Sequence, residues 1–215
     1  MDKGFNFLSI YLTHQCNLNC DFCAQRVWDS DYEITMEQVE RFCTLCNDVP
    51  APFIRISGGE PLAHPNIEDI IDMLVHMRSR VGMFTNGTLL HHHESIIGKL
   101  EIIQLTQYEG RNDEAVARYR NLPNVNLIKR PYYDNPHLDP DYTVDEARYL
   151  YSKCVFGAIT VVGDNVYGCC RGEPIERFIG IPLHVKLKEN WVEEYKRLDP
   201  LPACQHCVLV KRENG

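Results

Sequence analysis

Over its first 150 residues the chain alternates strand-like and helix-like segments, and this rhythm restricts the possible folds more than any other feature. Phe5–Thr13 mixes β-branched and aromatic residues in a two-residue period, the pattern of a strand. Thr35 opens a helix, with Gln38 placed to complete a capping box and Val39, Phe42, Cys43 and Cys46 sharing one face. Phe53–Ser57 reads as a strand ending at Gly58-Gly59, and Ile67–Arg80 as an amphipathic helix. Val81–Thr85 is a third strand, closed by Asn86-Gly87, and a helix is expected from about His92 to Leu100. Strand Glu101–Thr106, helix Asp113–Leu122 and strand Asn126–Arg130 continue the series. Such alternation implies parallel strands joined by right-handed crossovers. Five units are too few to close an eight-fold barrel, so the expected fold is α/β with a partial, open parallel β/α barrel. Ligands should sit where the strands end.

After about residue 134 the style changes. Asn135–Asp141 is a Pro- and Asp-rich connection, and Gly163-Asp164-Asn165 between Ala158–Val162 and Val166–Cys170 signals a hairpin. Asn190–Leu198 reads as a short helix. The expected division is residues 1–150 and a small second module of hairpin and helix, residues 151–215.

Ten cysteines stand in 215 residues whose amino terminus lacks the basic and apolar regions of a secretory signal. In a reducing cytoplasm, the expected location, clustered cysteines read as metal or redox ligands rather than disulfides. No run of about 18 apolar residues predicts a membrane span. A net charge of −8 without a basic stripe argues against a nucleic-acid partner.

Cys16-Asn17-Leu18-Asn19-Cys20-Asp21-Phe22-Cys23 follows the first strand directly. Three thiolates on one loop can ligate three irons of a 4Fe–4S cube and leave the fourth open, the condition for chemistry at a metal. A zinc knuckle, with His14 as fourth ligand, or a set of buried thiols would also fit this spacing.

With Ser57-Gly58-Gly59-Glu60-Pro61 ending the second strand, the sequence resembles the radical S-adenosylmethionine (SAM) superfamily. The resemblance implies that Cys16, Cys20 and Cys23 bind the cluster. It also implies that Gly58, Gly59, Glu60 and Pro61 run beside SAM, with the Glu60 side chain and the backbone on the methionyl amino group. Two glycines would allow close backbone approach, and a carboxylate suits a cationic amine. Thr85-Asn86-Gly87 is similar to the stretch ending the third strand in many members, and Phe22 occupies the position of an aromatic near the adenine. The implied reaction is one-electron cleavage of SAM to methionine and a 5′-deoxyadenosyl radical, which takes hydrogen from a substrate. A flavodoxin or ferredoxin would be a suitable reductant.

The tail, with Cys154, Cys169, Cys170, Cys204 and Cys207, resembles the auxiliary-cluster extension called a twitch or trimmed SPASM domain. Cys154, Cys169, Cys204 and Cys207 would then hold one second 4Fe–4S cluster. Cys169 and Cys170 face opposite ways on a strand, so either could serve; structural zinc is the other reading. Such a cluster could accept the substrate's electron, making the reaction a net oxidation of a small molecule or a peptide modification. A glycyl-radical activating enzyme and a non-catalytic zinc or iron–sulfur protein are the rival readings.

Cys43 and Cys46 are expected to pack as small hydrophobes, and His91–His93 to lie on a solvated face. Gln107, Tyr108, Arg130, Tyr132 and Tyr133 fall at strand ends and could line the cavity, Arg130 being singled out as a cofactor or substrate contact.

Overall fold

The computed structural model describes residues 7–18, 20, 23, 31–78, 80–129, 142–154 and 158–207. Among them, strands β1 (Phe7–Tyr11), β2 (Ile54–Ser57), β3 (Val81–Thr85), β4 (Ile102–Gln107), β5 (Val125–Lys129), β6 (Ala158–Val162), β7 (Asn165–Tyr167) and β8 (His184–Lys186) form one sheet. Its order is β5-β4-β3-β2-β1-β6-β7-β8. From β5 to β6 every pairing is parallel, and β7 and β8 are added antiparallel. The expected α/β open partial barrel is therefore what the chain forms. The sheet runs across the change of style near residue 134, because β6 pairs alongside β1.

The helices are α1 (Met36–Cys46), α2 (Ile67–Met77), α3 (Asp113–Tyr119), α4 (Val144–Lys153), α5 (Gly172–Ile179), α6 (Trp191–Tyr195) and α7 (Leu201–Gln205). Thr35 caps α1 with the expected box: its side chain accepts from the Gln38 N–H while the Gln38 side chain accepts from the Thr35 N–H. Between β3 and β4 the expected single helix is replaced by two 3-10 segments, Leu90–His92 and Glu94–Lys99. His93, at φ −132° and ψ 35°, breaks the run, and Gly98 weakens any continuation.

Alternation divides the sheet into two faces. Leu8, Ile10, Ile54, Ile56, Val81, Met83, Ile103, Leu105, Ile159 and Val161 point to the helix side and join Val39, Phe42, Ile70, Ile71 and Leu74 in the main core. Ser9, Tyr11, Arg55, Phe84, Gln104 and Thr160 belong to the other face, where Arg55 Nε donates to Ser9 Oγ at 2.9 Å and its guanidinium lies over Phe7 and Phe84. A smaller core of Tyr11, Val162, Tyr167, Ile175, Leu183 and Ala203 packs α5 and α7 onto this side.

The residues after 150 are fastened to the barrel at several points. Trp191 Nε1 donates to the Leu45 carbonyl at 3.0 Å, and Arg41 pairs with Asp164 at 2.7 Å. The Tyr32 hydroxyl accepts from the Gly163 N–H and donates to the Tyr11 carbonyl.

Candidate active site at the strand ends

Parallel pairing sends the chain out of β1, β2, β3 and β4 at one edge of the sheet, and three of the sequence motifs lie on those exits. β1 runs through Leu12–Gln15 into Cys16. Beside it, the Gly59 N–H donates to the Thr13 carbonyl at 2.7 Å and the Glu60 N–H to the Gln15 carbonyl at 2.8 Å. This docking explains both glycines. Gly58 has φ +131°, and a Cβ there would lie 2.5 Å from the Thr13 oxygen; at Gly59 a Cβ would lie 2.2 Å from the Gln15 oxygen. The close approach they allow in this structure is to the chain's own backbone at the root of the cysteine loop.

Glu60 is 1% exposed and caps the 3-10 turn Pro61–Ala63. Its Oε1 accepts from Thr85 Oγ1 at 2.6 Å and from the Leu62 N–H, and its Oε2 accepts from the Asn86 N–H at 2.7 Å. Burial raises its carboxyl to about 7, against the pull of these three donors. The carboxylate thus ties the second motif to the third. Thr85 Oγ1 also accepts from the Gly87 N–H at 2.8 Å.

Asn86 carries the connection onward to the cysteines. Its Nδ2 donates to Asn17 Oδ1 at 3.0 Å and stands 3.9 Å from the Cys16 sulfur. Its Oδ1 accepts from the N–H and the hydroxyl of Thr88, whose oxygen in turn accepts from Asn17 Nδ2 at 2.7 Å. On the far side, Asn112 Nδ2 bridges the carbonyls of Asn86 and Thr106, and Asn112 Oδ1 accepts from the Tyr108 N–H. Arg111 Nη1 reaches the Leu18 carbonyl at 3.2 Å. Asn17, Thr88, Arg111 and Asn112 were missed from sequence. An Asn or Thr near a strand end has no pattern to mark it; its partners become neighbours only once the sheet forms.

Cys16, Cys20 and Cys23 lie on this loop, Cys20 buried and the others half-buried, and the Cys23 N–H donates to the Cys20 carbonyl at 3.0 Å. Among the described residues no three His, Cys, Asp or Glu side chains converge as ligands of a single metal ion. A cube makes a different demand: each thiolate takes a separate iron, so the sulfurs stand apart. The fit lies in the donor set, three soft thiols with the Asn86 amide N–H 3.9 Å from one sulfur. Phe22 and Arg130, and with them Tyr132 and Tyr133, lie outside the described residues. Gln107 and Tyr108 stand half-buried at the end of β4.

Cys43 and Cys46 pack as expected. Burial raises their thiols to about 11 and about 12, the wrong direction for ligation. His91 and His92 are exposed, and His93 faces Glu68 at 3.1 Å.

In the tail, Cys154 caps α4 and Cys204 lies in α7, with Cys207 a turn later. α4 is held to α7 by Tyr142 and Gln205, which exchange two hydrogen bonds of 3.0 and 2.9 Å. The Tyr151 phenol is raised by burial and then by the thiols of Cys204 and Cys154, which places both beside it. β7 stops at Tyr167 rather than continuing to Cys170, and Cys169 and Cys170 lie in the following turn. Cys169 is raised chiefly by its hydrogen bond with Cys170, and the Cys207 thiol contributes. Cys170 is drawn down to about 6, first by that same hydrogen bond with Cys169 and then, against burial, by Arg55 and Arg171, and its carbonyl accepts from the Tyr11 hydroxyl at 2.6 Å.

The profile of the Radical SAM superfamily matches residues 10–109, from β1 through the cysteine loop, Gly58–Pro61 and Thr85–Gly87. This stretch is a radical SAM domain. Over 89 residues the domain is 42% identical to a probable GTP 3′,8-cyclase of Methanocella arvoryzae, covering 41% of this chain and 29% of that protein. The chain thus spans under a third of that relative's length. Across almost its whole length the fold resembles BtrN, solved in complex with AdoMet and 2-DOIA: TM-score 0.68, 18% identity, 95% of this chain and 87% of that one. Streptococcus suis SuiB bound to the precursor peptide SuiA superposes with TM-score 0.52 and 13% identity over 98% of this chain and 69% of SuiB. Both likenesses show the fold. Among the described residues no helix is long and apolar enough to cross a membrane.

Proposed function

We propose that the chain is a radical SAM enzyme in which Cys16, Cys20 and Cys23 hold a 4Fe–4S cluster with one iron left for SAM. Bound there, the cluster and SAM supply an electron and a 5′-deoxyadenosyl radical that removes a hydrogen atom from the substrate, leaving methionine and 5′-deoxyadenosine. The protein's share is placement. Asn86 steadies the loop at Asn17 and Cys16, Glu60 anchors Asn86 and Thr85, and the backbone of Gly58–Pro61 lies along the same edge. The observation that carries the reading is this hydrogen-bonded ring. It draws three motifs, far apart in the chain, to one mouth of the sheet, where an α/β fold receives its ligands.

Residues 151–215 form the second functional unit in this reading. Cys154, Cys169, Cys204 and Cys207 would hold an auxiliary 4Fe–4S cluster. The neighbourhood of Cys154 and Cys204 around Tyr151, and of Cys169 and Cys207, supports that set, with Cys170, whose thiol is drawn down to about 6, as the alternative to Cys169. With four protein ligands this cluster would serve as an electron acceptor. The net reaction is then oxidation of a small molecule or modification of a peptide, with a flavodoxin or ferredoxin as reductant. Ten cysteines suit a reducing cytoplasm.

Anaerobic reconstitution followed by dithionite and SAM tests the reading. The expected products are 5′-deoxyadenosine and methionine, both lost in Cys20→Ala, with iron near eight per chain, roughly two cubes of four. Iron near four removes the auxiliary cluster; absence of 5′-deoxyadenosine in a fully loaded protein removes the radical chemistry.

A further inference from the structure

Arg171 follows the cysteine pair and precedes α5. It is 2% exposed, and among the described residues none of Nε, Nη1 and Nη2 has a hydrogen-bond partner. A guanidinium does not lose its proton in a protein, so burying it with five N–H donors unanswered costs several kcal/mol. The nearest carboxylate in sequence does not answer it: Glu173 Oε1 faces Arg177 at 3.5 Å and Oε2 faces His14 at 3.8 Å. In a chain of net charge −8 this stranded cation stands out.

Its surroundings belong to the polar face of the sheet. Pairing sets Arg55 beside Ser9, Ser9 beside Thr160, and Thr160 beside Tyr167, a row across β2, β1, β6 and β7. Tyr11, one step further along β1 on the same face, donates to the Cys170 carbonyl, next to Arg171. Within this row Thr160 Oγ1 is also buried without a partner, and Gln104 Oε1, beside Phe84 in the register, is another. Native proteins leave few buried polar atoms unpaired. Several on one face, one of them a cation, describe a surface made for a polar ligand.

We propose that this face receives the substrate through an anionic oxygen group, a carboxylate or a phosphate, with Arg171 as the group that grips it and Arg55 as the second positive charge. The planar fork of Arg171 matches either oxyanion in a two-point grip. As the substrate site it rests on the radical SAM reading above, and it narrows the substrate class to small acids or phosphorylated compounds. Thr160 and Gln104 offer polar atoms to the rest of such a molecule.

The test uses the full chain, reconstituted anaerobically, without SAM. Inorganic phosphate and malonate are titrated separately at ionic strength held constant with chloride, following calorimetric binding and the thermal midpoint. The expected result is saturable binding of at least one anion with a rise in midpoint; the arm that binds tells phosphate from carboxylate. Arg171→Met should weaken that binding about tenfold or more, the loss of charge-assisted hydrogen bonds, and raise the midpoint of the ligand-free protein. Arg171→Lys, which keeps the charge without the fork, should fall between and guards against a Met variant that fails to fold. No binding of either anion, or equal binding by wild type and the lysine variant, overturns the proposal. A protein that binds anions through Arg171 yet makes no 5′-deoxyadenosine sinks the radical reading instead.

Discussion

Asn86 offers the most discriminating perturbation of the strand-end ring. Replacing it with Ala leaves its backbone bonds to Glu60 and Asn112 but removes three side-chain bonds: one to Asn17 and two from Thr88. At about 1 kcal/mol each, net of water, the loss is about 3 kcal/mol. For a chain of this size that lowers the thermal midpoint by roughly 6–12 °C. Asn86→Asp separates stability from chemistry. It keeps the acceptor for Thr88, and the Asn17 amide can turn to face the new oxygen, so the thermal cost should be smaller. That oxygen now stands beside Cys16 with a negative charge, where the wild type offers an N–H at 3.9 Å. A neighbouring carboxylate disfavours the thiolate that metal requires. The Asp variant should therefore melt higher than the Ala variant yet bind less iron. Differential scanning calorimetry on the metal-free proteins and iron analysis after reconstitution give both numbers. An Ala variant melting within about 2 °C of wild type, or an Asp variant that loads as much iron, would show that the ring does not shape the cysteine loop.

Two further outcomes follow from the same corner of the fold. Gly59→Ala forces a methyl to within 2.2 Å of the Gln15 oxygen and 2.7 Å of the His14 oxygen; we expect a loss of roughly 3 kcal/mol or more in urea unfolding together with poor iron loading, and a stable, fully loaded variant would contradict the docking described. Glu60 gives a pH signature: because burial raises its folded carboxyl from 4.5 to about 7, the folded state holds the proton more tightly. Its contribution is therefore greatest below pH 4.5 and is lost as pH rises to about 7, by roughly 3 kcal/mol. Urea titrations of the metal-free protein between these limits should show that decline in wild type and not in Glu60→Gln; parallel curves would place the titration elsewhere.

Much of this architecture is written locally. The Thr35–Gln38 cap, the apolar faces of α1 and α2, and strands β1 to β6 announce themselves because their partners lie within one turn or one pleat. The cysteine loop, Gly58–Gly59 and Thr85–Asn86 are legible for the same reason, as short contiguous strings. The segment 92–100 misleads because Ile96, Ile97 and Leu100 imitate a helix face, whereas His93 and Gly98 decide the backbone. β8 and α5 escape notice because three strand residues and a mixed helix carry too little periodicity. Asn112 and Arg171 are invisible for a deeper reason. What distinguishes each is its surroundings: two carbonyls bridged in one case, no acceptor among the described residues in the other. The glycines were legible as sites of close approach, but only the assembled sheet shows that the approaching atoms are those of Thr13 and Gln15.

β1 lies between β2 and β6, so this strand is completed by one that follows it far along the chain. During synthesis the side of Phe7–Tyr11 destined for β6 must wait with its N–H and C=O groups unsatisfied until Ala158–Val162 arrives. An open strand edge of that kind recruits other chains, and long-range parallel pairing is slow. Shortened versions ending before residue 158 should accordingly clump rather than give a soluble half-barrel. Refolding yield should depend steeply on dilution.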